Sequence, residues 1–292
     1  MHILITDSGV GGLSVVAYAE RFLRTRGFTE PVRLTFANAA PANDFGYNSM
    51  TTMKEKLDTF DRFLRNVTRR FAPDSIYVAC NTLSVLLPDT PYFPIAAIEI
   101  QGIVETGVQL LLHDLASDPR STAIIFGTQT TIDSGVYRQR LEARGIDFSR
   151  IINQACPGLA DTISEDRLGT RTAAEIRNWV RAATKTLDGN DAEVVACLAC
   201  THYGYRQEMF SESFEELGIA AKVLNPNERA ASQLFATADD RQRQPQDNVD
   251  VHVVTRYRIP EATVEALTYF LSDISPRTVE ALQNFEHDSE LF

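Results

Sequence analysis

The sequence contains no uninterrupted apolar stretch of about 18 residues, the shortest run that typically spans a bilayer. A membrane-spanning helix is therefore not expected. Residues 1–6 also lack the basic segment and the long apolar segment of an export signal, and have instead the pattern of a buried strand. These absences predict a cytoplasmic protein without a membrane partner.

Positive charge is in short supply. The chain has 28 Lys and Arg against 39 Asp and Glu, for a formal net charge of −11. A broad basic face for nucleic acid is therefore not expected, although a local pocket for a small anion is compatible with this balance. We expect a small-molecule partner and no nucleic acid.

Cysteine is also scarce, with residues only at 80, 156, 197 and 200. In the cytoplasm these thiols are expected to stay reduced. Cys197 and Cys200 have C-x-x-C spacing, but no second such pair and no spaced histidine pair completes a zinc set, so no metal is expected. Cys197 lies inside an apolar run and is predicted to be a core residue, which leaves Cys200 as the reactive candidate.

No phosphate-binding P-loop motif occurs, and the glycine-rich segment 7–13 is a poor match to a dinucleotide fingerprint. Gly9 and Gly11 fit that pattern, but its third glycine position holds Ser14. No cofactor is predicted. The segment is either a plain strand-to-helix turn capped by Asp7 or Ser8, or a turn in which the Asp7 carboxylate binds an ammonium group or steers a neighbouring base.

Short apolar runs alternate with helix-periodic segments along all 292 residues, of which 44% are hydrophobic. This alternation predicts an α/β fold of mostly parallel sheets flanked by helices, and the length suggests about two domains. Helices are predicted at 13–26 and 50–71. The predicted strands are 2–6, 33–37, 75–79, 95–98, 123–126, 151–152, 193–198, 222–224 and 249–254.

The two halves of the chain carry similar motifs, because an apolar run ends in Ala-Cys-Asn-Thr at 79–82 and in Ala-Cys-Thr-His at 199–202. We predict two similar lobes, formed by 1–97 with 206–292 and by 98–205. Ligands of open α/β sheets bind outside the carboxyl ends of strands, so the active site is expected between the lobes. The polar segment 237–248 is expected to be a solvated loop, and the acidic tail 286–292 is left unassigned.

Cys80 and Cys200 each follow a predicted strand and precede small polar residues. Either thiol could be an ordinary buried cysteine beside a helix cap. A thiol close to helix N-terminal amides, however, has its thiolate favoured against an unperturbed pKa of about 8.5. Two such acid/base groups on opposite faces of a carbon centre are what inversion requires.

A third strand ends in Gly127-Thr128-Gln129-Thr130-Thr131. The hydroxyl groups of Thr128 and Thr131 at a helix N-terminus form a candidate binding site for a carboxylate. Helix capping alone is the alternative explanation for this segment.

With these residues assembled, the chain resembles the glutamate racemases, which belong to the cofactor-independent aspartate/glutamate racemase superfamily. The similarity extends over about residues 3 to 235. It rests on the segments 7–13, Ala79-Cys80-Asn81-Thr82 and Cys200-Thr201-His202-Tyr203, supported in order by Gly127-Thr128, Thr131, Ser134, Tyr137, Cys156-Pro157 and Glu165.

The resemblance implies racemisation by two bases without pyridoxal phosphate, supplying D-glutamate for peptidoglycan. It implies that Cys80 acts on the D-enantiomer and Cys200 on the L-enantiomer, and that family members often form homodimers. Asp7 and His202 would assist the thiols, and Glu165 matches a family acidic residue near the second cysteine. The substrate-binding residues that it implies are Asp7, Ser8, Phe45, Gly46, Asn81, Thr82, Thr128, Thr131 and Thr201.

Three departures bear on the substrate. Asp44-Phe45-Gly46 stands where the family has Pro-Tyr-Gly, so the phenol that contacts the substrate's side-chain carboxylate is lost. The family's upstream aspartate falls on Ala39, or on Asn38 with a one-residue gap, and Tyr203-Gly204-Tyr205 replaces the usual Pro-Leu. A racemase of aspartate or another amino acid is therefore an alternative.

Two further hypotheses keep the same fold. One is a decarboxylase or cis–trans isomerase of the superfamily, which uses cysteines at the same positions. Asp7 and both cysteine motifs favour racemisation of an amino acid over that chemistry. The other is a non-catalytic binding protein, against which the presence of both thiols argues.

Overall fold

The computed structural model describes residues 1–26, 30–43, 45–187, 193–235 and 248–292. Asp44 and all but the last residue of the predicted loop 237–248 lie outside these ranges. The described chain divides into two compact units, Met1–Ile103 with Asn227–Phe292 and Val104–Pro226. The lobe boundaries at 97 and 205 stay a prediction.

Strands and helices alternate through both units, as the sequence predicted. The strands are β1 His2–Asp7, β2 Val32–Asn38, β3 Ser75–Val78, β4 Glu99–Gly102, β5 Thr122–Gly127, β6 Ile151–Ala155, β7 Val194–Ala199, β8 Ala221–Leu224, β9 Val249–Thr255 and β10 Glu286–His287. The helices are α1 Leu13–Arg26, α2 Met53–Phe71, α3 Asn81–Leu86, α4 Val104–Leu115, α5 Gln129–Asp133, α6 Val136–Glu142, α7 Leu159–Glu165, α8 Thr170–Thr184, α9 Gln207–Glu216, α10 Pro226–Gln233, α11 Glu261–Leu271 and α12 Pro276–Gln283.

The first unit is built on a parallel sheet with the strand order β10-β9-β2-β1-β3-β4. In β1 every residue after His2 is buried, which is the pattern of a central strand covered on both faces. The second unit contains the parallel sheet β6-β5-β7-β8, in which β5 and β7 are buried along their whole length. The predicted fold class, α/β with mostly parallel sheets flanked by helices, is confirmed.

The sequence determines where helix α2 begins and ends. The Thr52 hydroxyl accepts a hydrogen bond from the Glu55 amide at 3.2 Å, so the helix begins at Met53 rather than at the predicted residue 50. It ends where Ala72 adopts a left-handed conformation with φ of 41°. Its apolar face packs into the first core through Phe60, Phe63, Leu64 and Val67.

The strand predicted at 95–98 is wrong. Phe93–Ile95 forms a 3₁₀ turn that contains Pro94, and the strand that pairs with β3 is β4, at Glu99–Gly102. Proline lacks the amide hydrogen that a sheet ladder requires, and Ile95 is 66% exposed. The apolar run was therefore a surface turn that precedes the strand.

The acidic tail, which the sequence analysis left unassigned, completes the first core. Glu286–His287 pairs with β9, and Leu291 is fully buried in the cluster that contains Cys80. The Phe292 ring lies 5.3 Å from that of Phe63. Arg70 holds the tail from α2 through a 2.6 Å ion pair with Asp288.

None of the helices in the described ranges is both long and apolar enough to cross a membrane.

Leu291→Ala is expected to lower the free energy of unfolding by about 2 to 5 kcal/mol, because it removes a fully buried side chain from a packed core. Urea unfolding measures this loss. Leu168→Ala is the matched control, since Leu168 is 80% exposed and its truncation should change stability by no more than about 0.5 kcal/mol. Equal losses in the two variants would show that the tail contributes no core packing.

Candidate active site

The strand register of the first sheet brings several predicted residues to one edge. Asp7 pairs with Asn38 across β1 and β2, and Thr6 pairs with Val78 across β1 and β3. Residues that follow these strands therefore lie at the same carboxyl edge, where ligands of parallel α/β sheets bind. Cys80 lies at this edge, one residue beyond Ala79.

Cys80 is the N-cap of α3, and its sulfur accepts a hydrogen bond from the Leu83 amide at 3.4 Å. The hydroxyl oxygen of Ser8, on the turn after β1, lies 3.0 Å from the same sulfur. The thiol is only 5% exposed. A reactive group thus occupies the position that a serine or threonine usually takes at a helix N-terminus.

The surroundings of Cys80 act on its ionisation in opposite directions. Burial, followed by the negative charge of Asp7, raises the pKa of the Cys80 thiol to about 12. Hydrogen bonds from the Ser8 hydroxyl, the Leu83 amide and the Ser8 amide partly offset this rise because they stabilise the thiolate. The cysteine is therefore a thiol at neutral pH, poised among groups that can support its ionised form.

The Ser8 hydroxyl suits both protonation states of Cys80. A hydroxyl can donate or accept a hydrogen bond, and either atom of the Ser8–Cys80 pair can be the donor. The hydroxyl donates when the sulfur is a thiolate and accepts when it is a thiol. The resemblance implied a substrate-binding role for Ser8, and its contact with Cys80 was not predicted because 72 residues separate the two in the chain.

Asp7 is 1% exposed, and the start of α1 packs directly against it. A Cβ atom at Gly12 would lie 2.8 Å from the Cβ and 2.9 Å from the Oδ2 of Asp7. Only glycine permits this close approach. The glycine-rich turn therefore has a packing role at the site, in addition to whatever its backbone amides bind.

The other predicted residues of this edge differ in exposure. Asn81 and Thr82 are each 2% exposed, as the first two residues of α3. Phe45 is 40% exposed and lies with Gly46 in the connection between β2 and α2. Asp44 lies outside the described residues, so the predicted change of charge in this loop stays a prediction.

The second unit has a corresponding edge. Gly127 pairs with both Ala155 and Ala199, so Thr128, Cys156 and Cys200 follow three neighbouring strands at the same level. The sulfur of Cys200 lies 3.9 Å from Nδ1 of His202. The side chains of this second motif are largely buried, with exposed fractions of 7% at Cys200, 2% at Thr201 and 9% at His202.

Thr128 and Thr131 are brought together at the start of α5. The Thr128 hydroxyl oxygen accepts a hydrogen bond from the Thr131 amide at 3.3 Å and lies 3.1 Å from the Thr131 hydroxyl oxygen. Capping thus accounts for part of the motif, as the simpler explanation predicted. The two hydroxyl groups still form a compact polar pair at the carboxyl edge.

Tyr203 connects two of the strand ends in this unit. Its hydroxyl donates a 3.1 Å hydrogen bond to the Cys156 carbonyl, and its amide donates to the Cys200 carbonyl, also at 3.1 Å. The ring is fully buried. Tyr203 therefore holds the turn that carries Cys200 against the end of β6, a role that sequence reasoning did not identify.

Glu165 is the predicted site residue that the structure places most openly. It ends α7, its side chain is 60% exposed, and its carboxylate lies 3.7 Å from Arg171. Its catalytic role stays a prediction.

The two cysteines outside these motifs are buried in the second unit. Cys197 is fully buried inside β7, as predicted, and burial raises its pKa to about 12. Burial also raises the pKa of Cys156. None of the four cysteines is in a disulfide bond, and no cluster of three or more His, Cys, Asp or Glu side chains in the described ranges is arranged to hold a metal ion.

Sequence reasoning also missed Tyr257, which follows β9 at the first edge. Its hydroxyl accepts a 3.0 Å hydrogen bond from the Asn38 side-chain amide. The sequence signal for Asn38 was its alignment, after a one-residue gap, with an aspartate of the glutamate racemases. No motif indicated Tyr257, which lies 219 positions away.

Curated proteins named glutamate racemase are similar to the chain in sequence. The one from Nitratiruptor sp. is 26% identical over 250 residues, covering 78% of this chain and 88% of the relative. The one from Hydrogenobaculum sp. is 25% identical over 277 residues, covering 91% of this chain and 98% of the relative. No protein-family model matches the chain.

Solved glutamate racemases share the fold. The Campylobacter jejuni structure has a TM-score of 0.69 at 20% identity, covering 93% of this chain and 98% of that one. The Francisella tularensis structure, in complex with D-glutamate, has a TM-score of 0.69 at 19% identity, covering 94% of each chain. The predicted resemblance to glutamate racemases is thereby confirmed, and the relatives indicate a racemase, an isomerase.

Asp7→Asn and Ser8→Ala are expected to shift the pKa of Cys80 in opposite directions. Loss of the Asp7 charge lowers that pKa, whereas loss of the Ser8 hydrogen bond raises it. At a fixed pH below the pKa, Cys80 should therefore react several-fold faster with iodoacetamide in Asp7→Asn and more slowly in Ser8→Ala, because the thiolate is the nucleophile. Mass spectrometry of the Cys80 peptide follows the rate. Faster labelling in both variants would indicate local loosening and contradict the electrostatic explanation.

Tyr203→Phe is expected to lower the free energy of unfolding by about 0.5 to 1.5 kcal/mol, since it removes one of the two hydrogen bonds that the Cys156 carbonyl accepts, the other coming from the Leu159 amide. Tyr47→Phe is the matched control. The buried Tyr47 hydroxyl has no hydrogen-bond partner among the described residues, so its removal should be neutral or slightly stabilising. Thermal unfolding compares the two, and equal effects would rule out a connecting role for Tyr203.

Proposed function

We propose that the protein is a glutamate racemase that interconverts L- and D-glutamate by proton transfer at Cys80 and Cys200, without a cofactor. The observation that carries this proposal is the environment of Cys80, a buried thiol with Ser8 and the Leu83 amide as hydrogen-bond partners and Asp7 nearby. The names of the sequence relatives support glutamate as the substrate.

In the proposed reaction one cysteine, as thiolate, removes the α-proton. The C–H bond breaks, an S–H bond forms, and the electron pair moves into the carboxylate to give an enediolate. The other cysteine, as thiol, then delivers its proton to the opposite face, so that its S–H bond breaks as the new C–H bond forms. The two cysteines exchange protonation states in each turnover, and their roles reverse with the direction of the reaction.

Asp7 couples substrate binding to the ionisation of Cys80. In the described structure the Asp7 charge raises the pKa of Cys80. An ammonium group bound at Asp7 offsets this effect, because a nearby positive charge favours the thiolate. Substrate binding therefore offsets the second of the two causes that raise the pKa of Cys80, and the thiolate that forms in this buried site is poorly hydrated and strongly basic.

The remaining residues have supporting roles. Asp7, Ser8 and Asn81 hold the ammonium end, and His202 exchanges a proton with Cys200, 3.9 Å away. Hydrogen-bond donors on the substrate carboxylate stabilise the developing enediolate. The residues assigned to the substrate's polar groups are Phe45, Gly46, Thr82, Thr128, Thr131 and Thr201, and Glu165 assists near the second thiol.

Phe45 favours a second candidate, a racemase of aspartate or another amino acid by the same mechanism. Its ring carries no hydroxyl and is 40% exposed, so it cannot donate the hydrogen bond that the tyrosine of the related enzymes provides. Comparing the rates with L-glutamate and L-aspartate separates the two candidates.

We also propose that the D-glutamate formed serves peptidoglycan synthesis and that the reaction takes place in the cytoplasm. The four free cysteines are compatible with a reducing compartment.

Incubation with L-glutamate in D₂O, with no added cofactor, should yield D-glutamate that carries α-deuterium. Cys80→Ser and Cys200→Ser should each slow racemisation by roughly 10²- to 10⁴-fold, the usual contribution of a general acid or base. Optical rotation and NMR follow the two changes. Starting from D-glutamate should give the same loss in both variants.

Cys197→Ala is the matched control, because Cys197 is a core thiol on the strand that precedes Cys200, and it should keep most of the activity. Full racemisation in either serine variant would disprove the two-cysteine mechanism. Absence of exchange from both enantiomers of glutamate would disprove the substrate.

A further inference from the structure

Two polar side chains lie on the first carboxyl edge, on the opposite side of β1 from Cys80. The strand order there is β9-β2-β1-β3. Asn38 ends β2, and Tyr257 follows β9 two residues after Thr255. Across the edge, the functional groups therefore follow in the order Tyr257 phenol, Asn38 amide, Asp7 carboxylate and Cys80 thiol.

The orientation of the Asn38 amide is determined by its neighbours. Its Oδ1 accepts a hydrogen bond from the Ala40 amide at 2.9 Å, which leaves Nδ2 facing the Tyr257 hydroxyl at 3.0 Å. An amide nitrogen can only donate, so the Tyr257 oxygen must accept. Asn38 is fully buried, which holds this arrangement in place.

The acceptor role of Tyr257 has a consequence for its proton. A phenol can donate one hydrogen bond while its oxygen accepts another. Because Asn38 donates to the oxygen, the phenolic hydrogen points away from the Asn38 amide. A buried asparagine thus leaves the phenol able to donate to a further acceptor.

The phenol also stays protonated. Burial is the main cause that raises the pKa of Tyr257, and the charge of Asp7 adds to it. The hydrogen bond from Asn38 acts in the opposite direction but does not reverse the rise. The donor is therefore present throughout the neutral pH range.

We propose that Tyr257 donates its phenolic hydrogen bond to the side-chain carboxylate of a dicarboxylic amino acid, and that it thereby determines the substrate class of the site. This inference rests on the function proposed above. Tyr257, in the segment after β9, thereby supplies the phenol that Phe45 lacks.

The order of groups along the edge fits such a substrate. Neighbouring strands are about 4.8 Å apart, so β2 lies roughly 10 Å from β3. With the ammonium group at Asp7 and the α-carbon toward Cys80, the side chain extends toward Asn38 and Tyr257. A carboxylate at its end meets a neutral donor there instead of the negative charge of an aspartate, because position 38 is an amide.

The test is Tyr257→Phe, which removes the donor and keeps the ring. The KM for glutamate should rise by roughly 10- to 100-fold, the loss of one hydrogen bond to a charged group, with little change in kcat. Asn38→Ala, which frees the phenol from its anchor, should raise the KM less. Tyr269→Phe is the matched control, because Tyr269 is 63% exposed on α11, and it should leave both constants unchanged. Circular dichroism checks that each variant is folded.

The wild-type protein is assayed first with glutamate and aspartate, and the dicarboxylic substrate it accepts is then used for the variants. A protein that racemises neither overturns both the proposed function and this inference. With an active wild type, an unchanged KM in Tyr257→Phe overturns the inference alone. A fall in kcat at constant KM does the same, since it would show that Tyr257 acts through the arrangement of Asp7 and Cys80 and not on the substrate.

Discussion

Burial of a thiol opposes its ionisation, and the carboxyl edge of the first sheet is organised around that opposition at Cys80. Burial and the charge of Asp7 raise the pKa of Cys80. Hydrogen bonds from Ser8 and the Leu83 amide offset only part of this rise. A free thiolate in this position would be a strong base with little stabilisation. Of the two causes that hold the sulfur protonated, the Asp7 charge is the one that a bound ammonium ion would offset.

This balance depends on strand register more than on any single contact. Asp7, Asn38 and Cys80 reach one edge because β1, β2 and β3 are parallel and end level with one another. The second unit repeats the principle with different chemistry: Thr128 caps α5 through a hydroxyl, whereas Cys80 caps α3 through sulfur. A capping position that satisfies backbone amides in one unit therefore holds a candidate acid/base group in the other.

The sequence allowed accurate prediction where the signals were local. The apolar runs before Cys80 and Cys200 predicted that each cysteine follows a strand, and the alternation of strands and helices predicted the fold class. The strand at 95–98 failed because Pro94 turned an apolar run into a surface turn. The tail was missed because a short strand has meaning only beside β9. The contacts Ser8–Cys80 and Asn38–Tyr257 could not be predicted, since the first joins residues 72 positions apart and the second joins residues 219 positions apart.

The first unit is assembled from both ends of the chain, with the whole second unit encoded between them. During synthesis, β2 therefore emerges long before β9, its neighbour in the sheet. Until then an apolar strand presents an unpaired edge, which is the kind of surface that invites association with other chains. The second unit is continuous in the chain, whereas the first must wait for long-range pairing, which is intrinsically slow. The edge of β2 is therefore covered only once β9 has been synthesised and has paired with it.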